Sequence, residues 1–221
     1  MCAPSRVALL LILGVALCRS QNPKEGLPCV QSGSAKVQVA NRDATILGLT
    51  IGHASMNDVQ TQLGVAEKTR VSNEEESDLA ECYISPNDGT VLTFYTGAMG
   101  GWKDITRFSL RARDAKFSNS GKCARSMLVS RKLSTKGGLQ LGLSEQDVEA
   151  IEGSPTSRGR SYARFEYTCR RKMTEDEIKG FKTANNWDVR SDPYFDRTSW
   201  VDVRFNSVGA SRIEVGMIES Y

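Results

Sequence analysis

The chain has one histidine, His53, among 221 residues, and that scarcity removes most chemistry built on imidazole. A Ser-His-Asp device would have to use His53, which reads as a turn residue ahead of a helix. No two of Cys29, Cys82, Cys123 and Cys169 are close enough to form a Cys-x₂₋₄-Cys half-site, which argues against zinc and leaves no cofactor or metal in the reading. No basic run is interleaved with aromatics and the formal charge is only +3, so a nucleic-acid backbone is not the expected partner. A phosphate-cradling glycine loop is missing too: 97–101 (GAMGG) lies between two strand-like runs and reads as a hairpin turn. Carboxylates are plentiful, but 74–78 (EEESD) reads as a solvated loop, and 175–177 (EDE) as the first turn of a helix after Thr174, where acids suit the dipole.

What the chain does have begins at its start. A basic residue, Arg6, precedes the apolar stretch 7–17 (VALLLILGVAL), followed by Cys18, Arg19 and Ser20, the pattern of an export signal cleaved after Cys18 or Ser20. Eleven helical residues rise only about 16 Å against a hydrocarbon core of roughly 30 Å, too short for a membrane span. The expected location is therefore secreted or periplasmic. A lipid anchor on Cys18 is the alternative, against which stands Leu17, where lipoprotein signals place a small residue. Removal of 1–20 takes away Arg6 and Arg19 and lowers the formal charge from +3 to +1. The four remaining cysteines, an even number in an exported chain, read as two disulfides.

The strongest internal signal is a repeat. The segment 48–64 (GLTIGHASMNDVQTQLG) recurs as 138–153 (GLQLGLSEQDVEAIEG), about 90 residues later and one residue shorter. Each copy carries its own helix start and stop. Ser55 and Ser144 can cap the first turn, with Asp58 and Asp147 three positions on, as in a capping box. Gly64 and Gly153 supply a left-handed turn at the end. Val59 with Leu63, and Val148 with Ile151, form an apolar edge for packing on a sheet. Strand-like runs follow each copy in the same order: 79–84 with 165–170, 91–95 with 201–205, and 105–110 with 213–218.

The pattern Gly-x-Ser-x-x-Asp-Val-x-x-x-x-Gly-x-Pro over 142–155 resembles the small outer-membrane lipoproteins of the SmpA/OmlA (BamE) type, and its tandem copy resembles the architecture of the β-lactamase inhibitory protein. The resemblance implies an α+β fold of two tandem repeats, each a short helix or helix pair on an antiparallel sheet. The units run over 21–118 and 119–221, after a signal at 1–20. The first copy departs from the pattern, with His53-Ala54 where the second has Leu143 alone and Val65-Ala66 in place of Ser154-Pro155, and no good lipobox is present, so membrane attachment is not carried over. Laying one unit on the other places Cys29 with Cys123 and Cys82 with Cys169. One bridge per unit then gives Cys29 to Cys82 and Cys123 to Cys169, with Cys82 to Cys123 and Cys29 to Cys169 as the alternative.

The units differ most at 171–199, nearly 30 residues in the second against a short turn in the first. This insert reads as a capped helix from Thr174 to about Asn185, then Trp187 and a turn at Pro193, Tyr194 and Phe195. Long insertions in compact domains are often functional, so Trp187, Tyr194 and Phe195 are candidate partner-binding residues. Alternation gives a second surface. With Phe165, Tyr167, Cys169, Val201, Val203 and Phe205 toward the core, the opposite face presents Tyr162, Arg164, Glu166, Asp202 and Arg204. The function expected is an exported, non-catalytic protein-binding module, inhibitor-like, whose partner is another protein. A cell-envelope scaffold or outer-membrane assembly factor is the alternative, and an uncharacterised hydrolase the third.

Overall fold

The computed structural model describes residues 29–30, 42–72, 77–113, 122–185 and 192–221. Residues 1–20, where an export signal is expected, the acidic residues 74–76 and Trp187 lie outside the described residues. The fold is α+β, with a mostly antiparallel sheet.

Strand β1 (Cys29–Val30) and the small hairpin β2 (Thr45–Ile46) and β3 (Leu49–Thr50) come first, then helix α1 (Met56–Leu63). Strands β4 (Lys68–Ser72), β5 (Ser77–Ile84), β6 (Val91–Thr96) and β7 (Arg107–Arg111) follow as a meander. The short β8 (Ala124–Arg125) leads to α2 (Glu145–Glu152) and β9 (Ser157–Gly159). Then come β10 (Tyr162–Lys172), α3 (Glu175–Asn185), β11 (Tyr194–Asn206) and β12 (Gly209–Ser220). The large sheet has the order β1-β10-β11-β12-β7-β6-β5-β4, with β8 on β5 and β9 on β10. The final strands of the two meanders, β7 and β12, meet at its centre through pairs such as Leu110 with Ile213.

Both repeat helices start as their sequences dictate. Ser55 Oγ accepts from Asp58 N–H at 3.3 Å while Asp58 accepts from Ser55 N–H at 2.8 Å, and Ser144 with Asp147 repeats the exchange at 3.1 and 3.2 Å. Each exchange satisfies two backbone donors that the first turn would leave open. Gly64 and Gly153 do end the helices at positive φ, 96° and 87°, but with extended ψ, 168° and −154°, rather than as left-handed turns. The chain therefore leaves each helix straight toward the sheet. The third helix uses the same device, Thr174 with Glu177.

The helices cover one face only. Met56, Val59 and Leu63 of α1 and Val148 of α2 pack over Phe94, Phe108, Leu110, Phe165, Val201, Val203, Ile213 and Val215, all buried. Each such side chain contributes about 1.5–3 kcal/mol on leaving water. Phe165, Val201 and Val203 lie in this core as alternation indicated, while Tyr167, Cys169 and Phe205 are half-buried at its margin.

Two expectations need correction. Cys82 is bridged to Cys123, so the symmetric pairing of Cys29 with Cys82 and Cys123 with Cys169 does not form. The cause is β8, which adds in parallel to β5 with Ala124 opposite Tyr83 and brings Cys123 beside Cys82. Cys169 is disulfide-bonded as well, and β1 sets Cys29 opposite Arg171, two positions along β10 from Cys169. The turn expected at Pro193, Tyr194 and Phe195 does not form either. The ladder of β10 with β11 continues from Tyr162 opposite Arg204 to Lys172 opposite Tyr194, so Tyr194 and Phe195 belong to a strand rather than a turn.

Candidate functional site

The face of the sheet turned away from α1 and α2 is polar, and its residues follow from strand parity. Across the strands run the rows Ala80, Tyr95, Arg107, Gly216, Trp200, Glu166 and, next to it, Cys82, Thr93, Ser109, Glu214, Asp202, Arg164. One position further lie Arg111, Arg212, Arg204 and Tyr162.

Charges on this face are bound to one another. Arg107 donates to Asp78 at 2.6 Å and to Glu214 at 3.1 Å, and its guanidinium lies 4.1 Å from the centre of the Tyr95 ring. These three charged side chains are only 22, 16 and 12% exposed, so the pairs are far better shielded from water than ordinary surface ion pairs. Burial works against the Arg107 charge, but Glu214, Tyr95 and Asp78 more than offset it and hold its pKa above the usual arginine value. Arg212 donates to the second oxygen of Glu214. A second cluster joins Arg164 to Asp202 and to Glu166, each at 3.1 Å, with the Tyr162 hydroxyl donating to Asp202 at 2.8 Å. Burial and that hydrogen bond raise the Tyr162 pKa, so the phenol remains a neutral donor. Arg164 also stands 5.6 Å from the Trp200 ring centre. The indole of Trp200 lies against Gly216, where any Cβ would overlap the ring.

Of the residues singled out in the sequence, Tyr162, Arg164 and Arg204 come together on this face. Tyr194 and Phe195 part to opposite sides. Tyr194 stacks with Arg170, 4.9 Å away, whereas Phe195 packs α3 onto the sheet through Phe181, with ring centres 5.6 Å apart. Asp78 is not in a solvated loop but in β5, held by Arg107. Tyr95, Arg107, Arg212, Glu214 and Trp200 join Tyr162, Arg164 and Arg204, and the parity of β6, β7, β11 and β12 is the sequence signal that puts these residues on the same face as Asp202.

The helix side holds a different device. Asp43 and Glu152 are 0 and 3% exposed, and their carboxyl groups meet each other. Thr135 donates to Asp43 Oδ1, and Tyr167 donates to Glu152 Oε2 at 2.7 Å. Among the described residues Asp43 Oδ2 and Glu152 Oε1 have no donor, and two buried carboxyl groups in contact are satisfied only when one carries a proton. Burial, then the charge of Asp43, pushes the Glu152 pKa up to about 8, and burial raises that of Asp43 as well. Gly137 leaves the room that the Asp43 carboxylate occupies.

A cleft of about 790 Å³ opens beside α3, rimmed by His53 and Lys103 and floored by Arg171 and Arg197. Both arginines are engaged: Arg171 binds Glu177 at 2.8 Å and Glu219 at 2.9 Å, and Arg197 binds Glu219 at 2.6 Å. These contacts pin α3 and the last strand to β10. Among the described residues no group of His, Cys, Asp and Glu is arranged to hold a metal ion. None of their helices is long and apolar enough to cross a membrane. No protein-family model, curated protein or solved structure matches the chain.

Proposed function

We propose that the chain is an exported protein-binding module that grips another protein with the open face of its sheet. The observation that carries this is the face itself. Tyr95, Tyr162 and Trp200, each half-buried, are set in a lattice of shielded arginine and carboxylate pairs, while α1 and α2 pack on the other side. Aromatic and arginine side chains held in place before contact are the composition of binding hot spots. The matched capping boxes of α1 and α2, and the meeting of two meanders at β7 and β12, support a duplicated BamE-like unit arranged as in the inhibitory protein. Donors on the face are largely spent on fixed carboxylates and its Tyr162 phenol is neutral, which suits recognition rather than reaction.

The test uses the immobilised chain as bait in the native extracellular or periplasmic fraction, with captured protein quantified by mass spectrometry. Trp200→Ala and Arg164→Gln should each lose the captured partner, while Lys179→Ala, on the exposed side of α3, should retain it. Equal capture by all variants, with circular dichroism confirming the fold, refutes the docking face.

A further inference from the structure

The arginine row at one end of the open face is not explained by the stability of the sheet. Arg204 stands opposite Arg212, and Arg212 opposite Arg111, so three guanidinium side chains follow one another across β11, β12 and β7. Like charges directly opposite on neighbouring strands destabilise a sheet. The register also shifts between Arg204 and Phe205, an irregularity of the kind that re-aims side chains beside functional sites.

Next to this row the face sinks into a polar depression of about 480 Å³, bounded by Arg107, Arg204, Arg212, Tyr162, Asp202 and Glu214. Its two carboxylates are already occupied. One oxygen of Glu214 accepts from Arg107 and the other from Arg212, and Asp202 accepts from both Tyr162 and Arg164. Arg204 is different: it is exposed, and its guanidinium makes no hydrogen bond or ion pair with the described residues. The depression therefore offers more donors than acceptors, and three cations against two anions.

We propose that this depression is the anchor subsite of the docking face and takes an acidic side chain, Asp or Glu, of the partner protein, with Arg204 and Arg212 as the forked donors. The proposal rests on the docking-face reading above. A planar guanidinium matches a carboxylate through two parallel hydrogen bonds, and here no acid among the described residues competes for Arg204. Continuity with Trp200, one and two strand positions away on the same face, favours a carboxylate presented by a protein surface over a free anion.

The probe is acetyl-hexaglutamate amide, titrated at low salt into the ¹⁵N-labelled chain, with the hexaglutamine peptide and inorganic phosphate as comparators. The glutamate peptide should shift the arginine Nε–Hε signals of Arg204 and Arg212, and Arg204→Gln should weaken its binding about tenfold, the equivalent of one charge-assisted hydrogen bond. The subsite is overturned if the glutamine peptide moves the same signals equally, if phosphate saturates them where the peptide does not, or if Arg204→Gln binds the peptide like the unaltered chain. Partner capture separates the two proposals. Loss with Trp200→Ala but not with Arg204→Gln overturns the subsite and leaves the docking face, whereas retention by both overturns the docking face.

Discussion

Replacing Glu152 by Gln should remove a pH dependence from the stability of the protein. In the folded chain Asp43 and Glu152 share one proton well above the usual carboxylate range, because burial raises both pKa values and Glu152 reaches about 8. In the unfolded chain both acids release their protons near the ordinary values of 3.8 and 4.5. Between those values and about 8 the folded state thus binds one more proton than the unfolded state. The unfolding free energy therefore falls as pH rises, by about 1.4 kcal/mol per unit, up to about 5 kcal/mol in all. Glutamine keeps the geometry without the proton: its carbonyl oxygen accepts from Tyr167 and its amide donates to Asp43 Oδ2. Urea unfolding of both proteins at pH 5, 6, 7 and 8 measures the difference. Glu152→Gln should gain on the unaltered chain steadily with pH, by more than about 2 kcal/mol over the series. A stability difference that is the same at pH 5 and pH 8 would refute the shared proton.

Gly216→Ala should displace the Trp200 indole and cost about 1–3 kcal/mol, seen as a shift in tryptophan emission together with an earlier unfolding midpoint. Non-reducing peptide mapping should return Cys82 linked to Cys123 and Cys169 linked to Cys29. Loss of the first bridge, which closes a separation of 41 residues, should lower stability by about 4 kcal/mol in the chain-entropy account. Ser55→Ala and Ser144→Ala should each cost about 1 kcal/mol through their helix starts, and a null result for both in thermal unfolding would remove the capping boxes from the account.

The parts of this fold that were legible in the sequence are those decided locally. A serine three residues before an aspartate, then valine and leucine at helical spacing, specify α1 without reference to anything distant, and the same holds for α2. Alternation likewise assigned the two faces of β10 and β11, because one face had to bury Phe165, Val201 and Val203. What stayed hidden depends on which segments meet. The 124–125 segment reads as a lead into the second helix, and only its addition to β5 makes Cys123 the partner of Cys82. Tyr194 and Phe195 follow a proline and look like a turn until the register of β10 extends to them. Glu152 looks like the polar last residue of a surface helix. It is 3% exposed and meets Asp43, more than a hundred residues earlier in the chain, and Tyr167 on β10. Gly216 was a hidden signal that sequence alone could have given up, as strand parity could have for Tyr95, Arg107 and Trp200, since a glycine inside a strand marks a close approach.

The open face combines side chains whose freedom is already lost with one whose freedom is not. Arg107 ties Asp78 on β5, Tyr95 on β6 and Glu214 on β12 to its own strand, so a single guanidinium spans the seam where β7 meets β12. Arg164 does the same for Glu166, Asp202 and Trp200. The entropy of ordering these long side chains is lost on folding, and a partner that meets them does not have to supply it again. Arg204 has no such tether among the described residues and must order when something binds. A charge on a partner is then felt most strongly there: the fixed pairs set the shape of the contact, and the loose guanidinium among its like-charged neighbours sets its sign.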